Sequence, residues 1–132
     1  MARILVIDDD DAVRTMVVTA LERAGHIVSE ASTGLEGTRR FHREPADLVI
    51  TDMVMPDQDG IETVMALRRE YAGLPIIAIS GLARDSALYL EIAAKLGACR
   101  TLQKPFRLEA LLQTTKEVLD EQNNPPPSPE AG

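Results

Sequence analysis

Asp8 and Asp9 close the apolar run Ile4-Leu5-Val6-Ile7, and Asp52 closes a second run, Asp47-Leu48-Val49-Ile50-Thr51. Ser80 ends a third, Ile76-Ile77-Ala78-Ile79, and Lys104, followed by Pro105, ends a fourth segment of the same kind. Acids and a base at the ends of such runs are aimed out of a sheet and not into its core. Carboxylates gathered in one pocket repel each other unless a cation compensates, and a hard divalent ion with oxygen ligands is the natural choice. Mg²⁺ is the expected ion, because it takes few carboxylates, keeps several waters and accepts phosphate oxygens. Lys104 would bring a second positive charge to phosphoryl oxygens, and the Ser80 hydroxyl a hydrogen bond. With those oxygens neutralised, the Asp52 carboxylate is able to attack an incoming phosphoryl group in line and form an acyl phosphate.

Such a pocket needs strands whose ends lie side by side. Strand-like runs at 3–7, 27–31, 47–51, 75–79 and 99–103 alternate with helical patterns at 11–24, 34–43, 61–72, 84–96 and 107–121, a (βα)5 rhythm. The runs from Ile4 and Ile76 are continuously apolar, as in central strands of a parallel sheet covered by helices on both faces. In a doubly wound sheet of order 2-1-3-4-5 the first and third strands meet where the order reverses, and ligands bind outside the carboxyl ends of strands at that point. One pocket then collects all three acids. The first helix shows apolar positions Val13, Met16, Val17, Ala20, Leu21 and Ala24, with Asp10 or Asp11 as its N-cap and Gly25 as its stop. The last shows Leu108, Leu111, Leu112, Thr115, Val118 and Leu119. The expected units are a domain over residues 1–122 and a mobile Pro-rich tail over 123–132.

The chain has 132 residues, 45% of them apolar, enough for one core. Its 21 acids against 14 bases leave a formal charge of −7, which argues against binding a phosphate backbone. Arg39-Arg40 and Arg68-Arg69 read as solvated helix faces. No stretch approaches the roughly 18 apolar residues that span a bilayer, and the start is not that of a signal peptide, so a cytosolic protein without membrane insertion is expected. Cys99 is a lone thiol, read as a small buried hydrophobe.

Taken together, Ile4 to Asp10, Asp52-Met53-Val54-Met55-Pro56-Asp57-Gln58-Asp59-Gly60, Ser80 and Lys104-Pro105-Phe106 resemble the receiver domain of bacterial two-component response regulators, over residues 3 to about 121. The resemblance implies a flavodoxin-like fold and phosphorylation of Asp52 by a histidine kinase or a histidine phosphotransfer protein. It implies Mg²⁺ held by Asp9, Asp52 and the backbone carbonyl of Val54, with Asp8 acting through the ion's waters. An unidentified downstream protein target and a monomer or weak dimer are expected, and the acidic charge balance speaks against direct nucleic-acid contact. Thr101 stands where many relatives carry the aromatic that follows the hydroxyl residue, so an aromatic rotamer switch is not available there. Val54 and Leu82 occupy the two positions that flank the phosphoryl group in relatives, and as apolar residues they should slow hydrolysis.

Plainer roles fit the remaining residues. Asp57 and Asp59 suit a turn with Gly60. His26 and His42 have no evident partner and read as surface or packing groups. Met16, Met53, Met55 and Met65 read as core or loop filler, and Tyr89 as half-buried or part of a partner face. Two other functions use parts of the same pattern. A phosphohydrolase of the haloacid dehalogenase type would place its nucleophile on the first strand and add an acidic pair after the lysine, which this sequence does not do. A receiver-like docking or dimerisation module that is never phosphorylated would have no use for the full set of charges.

Overall fold

The computed structural model describes residues 2–53, 60–81 and 86–123, with the backbone alone at residues 86, 87, 89, 90 and 123. Strands β1 (Arg3–Ile7), β2 (Ile27–Ala31), β3 (Leu48–Asp52), β4 (Ile76–Ser80) and β5 (Arg100–Gln103) alternate with helices α1 (Asp11–Arg23), α2 (Gly34–Arg43), α3 (Gly60–Glu70), α4 (Ser86–Lys95) and α5 (Leu108–Asn123). The strands form one parallel sheet in the order β2-β1-β3-β4-β5, as expected. Asn123, expected in the tail, is still helical. Residues 124–132 lie outside the described part.

Alternation along the strands builds two cores. Leu5, Ile7, Val49, Ile76 and Ala78 point to one face, where Phe41 of α2, Val64 and Leu67 of α3 and Ala93 of α4 cover them. Ile4, Val6, Leu48, Ile50, Ile77 and Ile79 point to the other, beneath Val17, Val18 and Leu21 of α1 and Leu111 and Val118 of α5. Each such aliphatic side chain, fully buried, is worth about 1.5–3 kcal/mol relative to exposure, so the three central strands carry much of the hydrophobic driving force. β5 alternates between half-buried and exposed residues and β2 is mostly half-exposed, the pattern of sheet edges.

Helix ends follow their local chemistry. The Asp10 carboxylate accepts from the N–H groups of Ala12 and Val13 (3.0 and 3.1 Å) and caps α1. At the other end Gly25, at φ +98°, lets its N–H reach the Glu22 carbonyl while the His26 N–H reaches Leu21, a Schellman closure.

Five expectations are corrected. The inward face of α1 is Val17, Val18 and Leu21, with Met16 turned out at 40% exposure, so the stripe is rotated toward the residues that meet α5 and β1. Met65 is likewise exposed, while Met53 is fully buried; Met55 lies outside the described residues. Arg68 is not part of a solvated pair: its guanidinium donates to the carbonyls of Ala72 and Gly97 (both 2.7 Å) and ties the end of α3 to the turn after α4. His42 does have an acidic partner, Glu70 of α3, at 2.6 Å. Cys99 is only partly buried and packs against the α1/α5 side of the sheet.

Candidate functional site

β1 pairs with β3 so that Ile7 lies opposite Thr51, which places Asp8 beside Asp52 just past the end of the ladder. β3 pairs with β4 with Asp52 opposite Ile79, and β4 with β5 with Ser80 opposite Gln103, so the next residue, Lys104, arrives at the same rim. Its N–H donates to the Ser80 carbonyl (2.7 Å), and the Lys104–Pro105 peptide is cis.

Asp8 and Asp52 are 2% and 4% exposed, whereas Asp9 is exposed. The Lys104 ammonium bridges the two buried acids, 2.9 Å from Oδ2 of Asp8 and 3.0 Å from Oδ2 of Asp52. Burial pulls the lysine pKa down, but hydrogen bonds and the charges of Asp8 and Asp52 outweigh it and hold the amine above its ordinary range. Asp8 uses its other oxygen to accept from the Asp10 N–H (2.9 Å), closing the turn that carries Asp9. One carboxylate oxygen from each of Asp8, Asp9 and Asp52 lies within 4.8 Å of the others. This all-oxygen set suits a hard divalent cation, and Lys104 supplies the charge balance that keeps two buried acids together without one. Ser80 is fully buried, and its hydroxyl has no hydrogen-bond partner among the described residues.

The structure thus brings the side chains of Asp8, Asp9, Asp52 and Lys104 together, while Ser80 joins them through its main chain at the end of β4. Val54, Asp57, Asp59 and Leu82 lie outside the described residues, as does the side chain of Tyr89. Thr101 is exposed on the edge strand β5.

Two contributors escape a reading of the sequence. Gly60 is more than a turn former, because a Cβ there would fall well inside 3.0 Å of the Asp52 carbonyl oxygen and the Met53 Cα. Its N–H donates to the Met53 carbonyl (3.1 Å), so α3 begins pressed directly on the strand end that carries Asp52. Arg14 donates to the Asp8 carbonyl (2.8 Å) from the first turns of α1. The only sequence signals were a glycine at a helix start and an arginine one turn after a cap.

Residues 4–116 match the model of the response regulator receiver domain. The chain belongs to that family. This receiver is thus a phosphoacceptor module of two-component signal transduction, and its fold is the flavodoxin-like arrangement found in solved relatives. A CheY-like receiver domain protein from Methanospirillum hungatei JF-1 superposes with a TM-score of 0.87 at 32% identity, over 93% of this chain and 97% of that one. The response regulator receiver protein CpdR of Brucella abortus (strain 2308) is 37% identical, over 90% of this chain and 98% of that protein. The sensor kinase CckA of the same organism is 38% identical over 92% of this receiver but only 13% of the kinase. The receiver spans about half or less of several curated relatives, 25% of the transcriptional regulator NtrC of Azospirillum brasilense and 52% of PhoP of Bacillus subtilis among them. Among its described residues, no helix is long and apolar enough to cross a membrane.

Proposed function

We propose that Asp52 is the phosphoacceptor of this receiver, with Lys104 and Ser80 assisting and with Mg²⁺ held by Asp8, Asp9, Asp52 and the Val54 carbonyl. The observation that carries this reading is the pair of buried carboxylates, Asp8 and Asp52, sharing one ammonium at the rim of the sheet. When bound, Mg²⁺ would offset the charge of the acids and of the phosphoryl oxygens they must approach. A carboxylate oxygen of Asp52 forms the new O–P bond as the P–N bond of a phosphohistidine donor breaks, and the departing imidazole takes up a proton. Lys104, already at Asp52, holds a phosphoryl oxygen. The unpartnered Ser80 hydroxyl donates to another, which relieves the cost of burying it alone.

The donor is a histidine kinase or a histidine phosphotransfer protein, and the output is contact with a downstream protein or onward transfer. The chain assists its own phosphorylation and dephosphorylation without acting as an enzyme on other substrates. It works in the cytoplasm as a monomer or weak dimer, with a receiver unit that runs to the end of α5 at Asn123 and a tail behind it.

Intact-mass measurement after incubation with MgCl₂ and acetyl phosphate tests the assignment. One phosphoryl adduct is expected on the wild type and none on Asp52→Asn; an adduct of equal yield on the variant would refute it. The lifetime gives a separate check. Val54 and Leu82, at the two positions that flank the phosphoryl group in relatives, are apolar and cannot hydrogen-bond a water, so Val54→Asn is expected to speed loss of the adduct. Decay that is unchanged or slower in that variant contradicts this.

A further inference from the structure

Arg14 contributes nothing to the chemistry above, yet its side chain is only 14% exposed and every arm of it is occupied. Nη1 donates to the main-chain carbonyl of Asp8 (2.8 Å), Nε to Oε1 of Glu30 on β2 (2.9 Å), and Nη2 to Oδ1 of Asp11 (2.6 Å). The hydrogen bond to Glu30, the largest influence, and the charges of both acids raise its pKa further above the arginine norm, against the effect of burial.

These contacts bear on Asp9, the exposed member of the acidic trio. Its direction depends on the two peptide groups that flank it. The one after it is fixed because the Asp10 N–H donates to Oδ1 of Asp8 (2.9 Å). The one before it is fixed because the Asp8 carbonyl accepts from Arg14, itself anchored on Glu30. The Asp8 N–H meanwhile donates to the Ala31 carbonyl (3.1 Å). Asp8 is therefore tied to β2 at both ends of its main chain, directly through its N–H and through Arg14 at its carbonyl.

We propose that Arg14 is a positioning residue: by holding the Asp8 carbonyl to Glu30 of β2, it orients Asp9 toward a divalent cation shared with Asp8 and Asp52. This rests on reading those three acids as the cation site. The sign of the effect separates orientation from simple charge. A fixed cation beside an acidic pocket opposes a second cation, so loss of the charge alone would tighten Mg²⁺ binding. Loss of orientation weakens it, and outer partners of metal ligands are typically worth about 10–100-fold in affinity.

Calorimetric titration of the full chain with MgCl₂ decides the matter, using wild type, Arg14→Gln and Arg14→Lys, each first shown to be folded by its amide NMR spectrum. Both variants are expected to bind Mg²⁺ about 10-fold more weakly. Their rates of adduct formation from acetyl phosphate should return to the wild-type value at saturating Mg²⁺. Arg14→Lys keeps the charge but lacks the planar fork that reaches three acceptors at once, and it carries the test alone if Arg14→Gln does not fold. Equal or tighter binding by Arg14→Gln, or wild-type binding by Arg14→Lys, overturns the proposal. A wild type that binds no Mg²⁺ overturns the cation site itself, and the role of Arg14 with it.

Discussion

Replacing Lys104 by methionine is expected to lower the stability of the receiver by about 3 kcal/mol at pH 7 in the presence of EDTA. Breaking a buried ion pair from one side leaves a charge without compensation, at a typical cost of about 3–5 kcal/mol. Here two acids are left, Asp8 at 2.9 Å and Asp52 at 3.0 Å from the lost ammonium, and they also repel each other. The sign of the pH dependence follows from the raised pKa of the lysine. The folded state holds that proton more tightly than the unfolded chain. The stabilisation is therefore complete below the ordinary amine range and is lost as the pH rises through the higher, folded-state value. In Lys104→Met this alkaline loss disappears. A deficit at neutral pH replaces it, and it shrinks when Mg²⁺ is added. Urea unfolding followed by circular dichroism, with EDTA or MgCl₂ and across pH, reads all three trends. Equal stability of variant and wild type in EDTA at pH 7 would show that Lys104 does not balance the pocket.

A single methyl group at position 60 is expected to do comparable damage by a different route. The Cβ of Gly60→Ala would lie well inside 3.0 Å of the Asp52 carbonyl oxygen and the Met53 Cα, atoms of the main chain that cannot rotate away. Either α3 lifts off the sheet or the end of β3 moves, and overpacking of this kind costs about 1–3 kcal/mol. Moving the end of β3 also carries Asp52 away from Asp8 and Lys104, so phosphorylation should fall along with stability. Gly73→Ala is the natural control, because a Cβ there meets nothing within 4 Å and the backbone is not in the left-handed region. It should be neutral or stabilising by roughly 0.4–1 kcal/mol through loss of freedom in the unfolded chain. If both variants unfold at the same urea concentration and accept a phosphoryl group equally, the close approach at Gly60 has no consequence.

The strands at the centre of this fold were legible because both of their faces are covered. β1, β3 and β4 read as unbroken apolar runs, and the polar residue that ends each one marked the rim. The doubly wound order 2-1-3-4-5 makes β1 and β3 neighbours, and that adjacency brings Asp8 and Asp52 to one rim. The inward face of α1 was not legible. Met16, Val17 and Val18 are consecutive apolar residues that fit two stripes, and only packing against α5 and β1 selects the one with Met16 outside. Arg68 looked like half of a basic pair because its acceptors are main-chain carbonyls, which have no signature in a sequence. Glu70 lies 28 residues from His42, a pairing that no local pattern announces. Gly60 was recognised as a glycine suited to a turn, but its closeness to the Asp52 carbonyl depends on how α3 docks.

Lys104 and the Asp52 it serves are 52 residues apart, and Asp8 comes from near the other end of the chain. None of the short segments around these residues contains the set. During synthesis the acids emerge well before the lysine, so a nascent or truncated chain presents carboxylates without their counter-charge. The charge balance at the rim is therefore a property of the closed sheet, since β1, β3 and β5 must all be docked before Lys104 reaches Asp8 and Asp52.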